Sequence, residues 1–256
     1  MTPWGSAGSG AGRRRGLPLD NRTLIIAAVA LVLVVLIVRS HSVSSAQLIY
    51  FLVLVPSIIF HEISHGAVAL AFGDTTAKRA GRLNLNPLRH IDPVGTILVP
   101  AVLSLSGLGA YGWAKPVPVN PANLRNPRNH MVLVSLVGPF INFALAAVLG
   151  VLFVATGGRT GLHEVAFTTQ LSLLDQVLLI GGFANIMLGV FNLIPCPPLD
   201  GAAVLERLLP ARLLPGYWDL QPFLMFLPFL LILLFHNAWS DLVNHLYLRW
   251  ETTLAG

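Results

Sequence analysis

The sequence predicts an all-α polytopic membrane protein of about five to six transmembrane helices, with a re-entrant segment and a small membrane-associated β element. Three observations carry this reading. Of 256 residues, 55% are hydrophobic and only 11% charged, with a mean hydropathy of +0.73; a soluble domain carries roughly 25% charge. The apolar residues gather into long runs. The basic residues lie between those runs, Arg13, Arg14, Arg15 and Arg22 before the first, and Lys78, Arg79, Arg82 and Arg89 between two later ones. That placement marks cytoplasmic loops. It also accounts for the net charge of +5, so the expected partner is the lipid bilayer and no nucleic acid. Such an apolar chain is not disordered. The single Cys196 excludes an internal disulfide and a cysteine-built zinc site.

Residues 1–22, rich in Gly, Ser and Arg, read as a flexible basic cytoplasmic tail, and 23–256 as a single membrane-embedded domain with its core at 46–210. Residues 24–38 are uninterrupted apolar between Arg22 and Arg39. They are a little short of the ~20 residues of a spanning helix, but arginines at both ends can snorkel. A signal peptide is the competing reading, since Ser42, Ser44 and Ala46 follow; further apolar segments favour a retained anchor. Residues 46–72 form a second apolar helix, broken chemically by His61, Glu62 and His65. Within the basic stretch 73–93, Arg82-Leu83-Asn84-Leu85-Asn86 alternates like a short strand. Residues 94–110 are apolar but rich in Pro and Gly; 131–155, 171–195 and about 220–236 are three further membrane segments; 238–254 is amphipathic and expected at the interface.

Parity sets the topology. A cytoplasmic N-terminus makes the protein multi-pass in the cell membrane, with 24–38 exiting and 46–72 returning to the basic loop. The segment 111–130 is also basic, with Lys115, Arg125 and Arg128, so 94–110 is expected to dip in and return on the same side. Broken backbone is tolerated at membrane depth where protein or a cavity covers it.

His61-Glu62-Ile63-Ser64-His65 is an H-E-x-x-H pattern inside a membrane helix. Its two imidazoles, at i and i+4, share one face and can grip one zinc ion, with Glu62 placed to act as general base. Glu occurs only at positions 62, 164, 206 and 251, which makes chance assembly of the pattern improbable. Catalytic zinc takes three protein ligands and water. The third ligand must be His, Asp, Glu or Cys at the same depth. Asp200, closing the run Asn192-Leu193-Ile194-Pro195-Cys196-Pro197-Pro198-Leu199-Asp200-Gly201, is the best candidate. Cys196 reads as a buried bystander, and Glu206 and Asp175 as interface charges. His61 lies about a dozen residues before the cytoplasmic end of its helix, roughly 15 Å deep, so the active site is nearer the cytoplasmic face.

Together with Gly112-Trp113-Ala114-Lys115-Pro116-Val117-Pro118-Val119-Asn120 and Gly138-Pro139-Phe140-Ile141-Asn142, these motifs resemble the site-2 protease family, zinc metalloproteases that cut inside the membrane, in its compact prokaryotic branch. The resemblance covers about residues 46–210 and includes no PDZ module or regulatory domain. It implies that His61, His65 and Asp200 bind one zinc ion per chain, that Glu62 is the catalytic base, that Asn192 contacts the substrate or oxyanion, and that Asn142 lies near the active site. Implied substrates are single-span membrane proteins, anti-sigma factors or signal-peptide remnants among them. The strand-like 82–86 would either pair with an unwound substrate or simply cap the membrane surface. A transporter using the same three ligands as a transit site would more often show paired repeats, and the sequence has none. Oligomeric state and the substrate itself are not written in it.

Overall fold

The computed structural model describes residues 44–90, 92, 95, 115–158 and 171–255. The anchor expected at 24–38, the re-entrant segment at 94–110 and the tail at 1–22 lie outside the described residues. Every regular element among the described residues is helical. In chain order these are α1 (Ser45–Ala71), α2 (Thr76–Arg79), α3 (Pro127–Ala155), α4 (Leu173–Asn192), α5 (Gly201–Leu208), α6 (Leu214–Leu224), α7 (Leu227–Leu234) and α8 (His236–Ala255), with short 3₁₀ turns at Pro87–Arg89, Pro121–Asn123 and Ala211–Leu213.

Three of these, α1, α3 and α4, are long and apolar enough to cross a membrane. Each starts at a side-chain cap. Ser44 and Gln47 exchange hydrogen bonds with each other's backbone N–H at the start of α1, at 3.2 and 2.7 Å. Asn126 precedes Pro127 at the start of α3, and the Ser172 hydroxyl accepts from the Asp175 N–H at the start of α4. The cap at Asn126 starts α3 a turn earlier than hydropathy predicts, because Pro127-Arg128-Asn129-His130 is polar but helical.

The three helices alternate in direction. The Arg125 N–H donates to the Phe72 carbonyl (3.0 Å), so α1 ends where α3 begins. The Thr156 hydroxyl donates to Asp175 (2.7 Å), so α3 ends where α4 begins. The chain therefore heads back toward the face where α1 ended, and α5 completes the return. There Arg128 donates to the Leu209 carbonyl and Arg207 to Asn129, both at 2.8 Å, fastening the end of α5 to the start of α3. The Lys115 N–H donates to the His90 carbonyl (2.9 Å), so those two residues lie side by side.

Two expectations need correction. Residues 82–86 form no strand. Arg82 is buried, with its guanidinium on the carbonyls of Arg89, Lys115 and Pro116, while the Asn84 side chain accepts from the Asn86 N–H (2.6 Å) and the Asn84 carbonyl pairs with His90. Local turns consume the groups a ladder would need. Residues 220–236 are not one span but α6 and α7, broken at Met225-Phe226. Pro228 has no N–H to offer the Leu224 carbonyl, which accepts the Cys196 thiol instead (3.4 Å). Eight residues of α7 reach only ~12 Å, against a hydrocarbon core of about 30 Å.

Residues 238–254 fall within α8, which runs antiparallel to α4. Phe191 meets Trp239, Phe183 meets Tyr247, and the Trp250 indole N–H donates to the Leu179 carbonyl (3.0 Å). The Trp250 ring occupies a notch made by Gly150 of α3 and Gly182 of α4; a Cβ at 182 would stand 2.2 Å from it. Leu254 then joins Phe153, Leu178 and Leu179 in a buried cluster.

Candidate metal centre

His61 and His65 lie on one face of α1, 4% and 8% exposed, and Asp200, the residue before α5, meets them from the returning chain. Nε2 of His61 is 3.0 Å from Oδ2 of Asp200, and Nε2 of His65 is 3.4 Å from Oδ1. One ligand atom from each residue falls within 4.8 Å of the others. From His61 to the end of α1 at Ala71 is ten residues, or ~15 Å of helix.

The fit to zinc can be tested on this geometry. Two imidazole nitrogens and a carboxylate are a donor set zinc favours, and ligands at 2.0–2.1 Å in a tetrahedron stand ~3.3 Å apart. The observed separations bracket that value. Oδ2 of Asp200 is buried beside Nε2 of His61 and makes no well-formed hydrogen bond, a costly state for a carboxylate that a cation would relieve. The residues fit.

Each ligand is oriented by a second contact. Nδ1 of His65 lies 2.6 Å from the Val134 carbonyl and Nδ1 of His61 lies 2.5 Å from Oδ1 of Asn142, both on α3. The stretch Gly138-Pro139-Phe140-Ile141-Asn142 gains a structural meaning here. A Cβ at Gly138 would stand 2.5 Å from Cε1 of both imidazoles, so only glycine lets α3 approach the pair. Asn142, one turn on, is fully buried.

Glu62 is half-buried, and its Oε2 accepts from the Val117 N–H at 2.7 Å. Residues 115–120 form an extended strap held at both ends. Arg82 takes the carbonyls of Lys115 and Pro116, and Asp74 accepts from the Asn120 N–H (2.6 Å). Asp74, just past the end of α1, also accepts from the Thr76 N–H and hydroxyl and from the Asn123 side chain. Burial pushes its carboxyl up, but these bonds outweigh burial and hold it at about 2.

The structure thus brings together His61, His65, Asp200, Glu62 and Asn142. It does not aim Asn192 at them, because that side chain donates to the Leu188 carbonyl of its own helix (2.9 Å). Cys196 bonds to Leu224, Asp175 to Thr156 and Ser172, and Glu206 to Gln221; none joins the centre. Sequence reasoning missed three residues. Val117 acts through its backbone, which no side-chain pattern reveals. Asn185 and Ser57 are polar residues inside apolar helices, and the cost of such groups in a membrane unless paired was the available signal.

Peptidase family M50 matches residues 49–235. YwhC of Bacillus subtilis (strain 168), named provisionally as a zinc metalloprotease, is 43% identical over 157 residues, 61% of this chain and 67% of YwhC. Rip2 of Mycolicibacterium smegmatis and Rip2 of Mycobacterium tuberculosis (strain H37Rv), named in the same provisional way, are 30% and 33% identical over 151 residues. Those matches take in 59% of this chain and 53% of each relative, so the chain spans about half the length of the Rip2 proteins. No solved structure matches the chain.

Proposed function

The chain belongs to peptidase family M50, a family of metalloproteases, and from that premise we propose that it is a zinc-dependent endopeptidase cutting single-span membrane proteins within the bilayer. The observation that carries the reading is the convergence of His61, His65 and Asp200 about 15 Å inside an apolar helix, with a carboxylate one residue after the first histidine. In this reading those three residues hold one zinc ion, which when bound supplies a Lewis acid at the reacting carbonyl and acidifies water. Glu62 takes the proton of the attacking water and returns it to the leaving amine. The Val117 N–H on Oε2 fixes the Glu62 carboxylate, leaving Oε1 to meet the water. Asn192 donates to the oxyanion after releasing the Leu188 carbonyl, a contribution of roughly 3 kcal/mol for such a donor. Asn142, fully buried with both ends of its amide engaged, positions His61 instead of touching substrate.

The protein is multi-pass with a cytoplasmic N-terminus, its site reached by water from the cytoplasmic face. A helical substrate must unwind before its carbonyls are open to attack, and anti-sigma factors and signal-peptide remnants are the substrate classes this reading offers. The test is cleavage of a panel of single-span proteins by purified enzyme in liposomes. Glu62→Gln should lower the rate by about 10²–10⁴-fold while zinc stays near one ion per chain by elemental analysis. Unchanged cleavage by Glu62→Gln overturns the proposal.

A further inference from the structure

Behind His61 runs a circuit of buried side chains that ends on two backbone carbonyls, and its chemistry has a direction. Nδ1 of His61 meets Oδ1 of Asn142 on α3; Nδ2 of Asn142 donates to Oδ1 of Asn185 on α4 (3.0 Å); Nδ2 of Asn185 donates to the Ser57 hydroxyl on α1 and to the Gly181 carbonyl, both at 2.9 Å; and the Ser57 hydroxyl donates to the Val53 carbonyl (2.9 Å). Ser57, Asn142 and Asn185 are 3%, 0% and 1% exposed, so bulk solvent does not reach them. Both terminal carbonyls can only accept. At 2.9 Å the Gly181 carbonyl can be met only by an N–H of the Asn185 side chain, and the Val53 carbonyl only by the proton of the Ser57 hydroxyl. Oδ1 of Asn185 is left facing Asn142 and must receive its N–H, which turns Oδ1 of Asn142 to His61. That oxygen needs a proton from Nδ1.

We propose that Asn185 and Ser57, acting through Asn142, are positioning residues that hold the His61 proton on Nδ1 and keep the Nε2 lone pair for the metal. The circuit works against a real competitor. Asp200 lies 3.0 Å from Nε2 and would otherwise draw the proton to the atom that must bind zinc. The inference rests on the reading of His61 as a zinc ligand, but part of its test needs neither zinc nor cleavage.

That part is nitrogen NMR of metal-free protein labelled with ¹⁵N-histidine, at pH 8. His65 is the internal standard, because the Val134 carbonyl fixes its Nδ1–H independently of the circuit. In the unaltered protein Nδ1 of His61 should carry a proton. In Asn185→Leu the proton should move toward Nε2 of His61 alone, and zinc affinity by chelator competition should weaken about ten- to a hundredfold, as loss of such outer partners does. Ser57→Ala should do the same to a smaller degree and covers the case in which Asn185→Leu does not fold. A His61 proton on Nε2 only in the unaltered protein overturns the inference. So does a folded variant with the His61 tautomer and zinc affinity unchanged. Absence of cleavage by the unaltered enzyme would sink the proposed activity and leave the tautomer result standing.

Discussion

A methyl group at position 138 has nowhere to go. It would sit 2.5 Å from both imidazoles, and the neighbours it strikes are ring edges already pinned through Nδ1. Gly138→Ala should therefore weaken zinc binding at least tenfold, a loss on the scale of disturbing a ligand's outer partners, read by chelator competition with thermal unfolding of the metal-free protein as the check on folding. At this scale the sequence was informative where chemistry repeats at helical spacing. His61, Glu62 and His65 announce themselves, and Asp200 stands out because a carboxylate among prolines and apolar residues has few other uses. The support behind them was less legible. Asn185 looks like any amide in an apolar helix until its partners on α1 and α3 are known, and those lie 128 and 43 residues away.

Among the elements, the strap at 115–120 carries the strongest pH signature. Asp74 is fully buried and its carboxyl is held at about 2 against an ordinary 3.8. A depressed folded-state value means that its bonds contribute fully above about pH 4 and are lost as pH falls through 2. The thermal midpoint should drop more steeply between pH 4 and 2 in the unaltered protein than in Asp74→Asn, which starts lower and has no carboxylate to protonate; parallel curves would remove Asp74 from this role. Cleavage by Asp74→Asn at neutral pH should slow with zinc affinity preserved, because the strap positions Glu62 and touches no ligand. Hydropathy predicted α1, α3 and α4 nearly to their ends, since caps and apolar runs coincide there. It misjudged 82–86 and 220–236 for one reason. Alternation and mean hydropathy ignore where individual backbone N–H groups are missing or diverted: Asn84 draws that of Asn86, Arg82 gives its own to Ala77, and Pro228 has none.

For the molecule as a whole, the bonds of Asp74 to Asn120 and Asn123, and of Phe72 to Arg125, place the end of α1, the strap and the start of α3 on one side. In the topology proposed above that side is cytoplasmic. Ala122 is exposed, so an Ala122→Cys protein should react with a membrane-impermeant thiol reagent only after the cells are opened; labelling of intact cells would invert the topology. The path of α8 was not legible in the sequence, because its direction depends on where Trp239, Tyr247 and Trp250 meet α4. Of these the seat of Trp250 weighs most. Trp250→Ala empties a notch and should lower stability by about 3–5 kcal/mol, read by denaturant unfolding, with zinc affinity unchanged. The notch has a further consequence for biogenesis. It exists only where Gly150 and Gly182 already face each other, and a ribosome delivers both long before residue 250. Seating of the indole is thus a late event that follows pairing of α3 with α4, and tryptophan fluorescence at that position would time the completion of assembly.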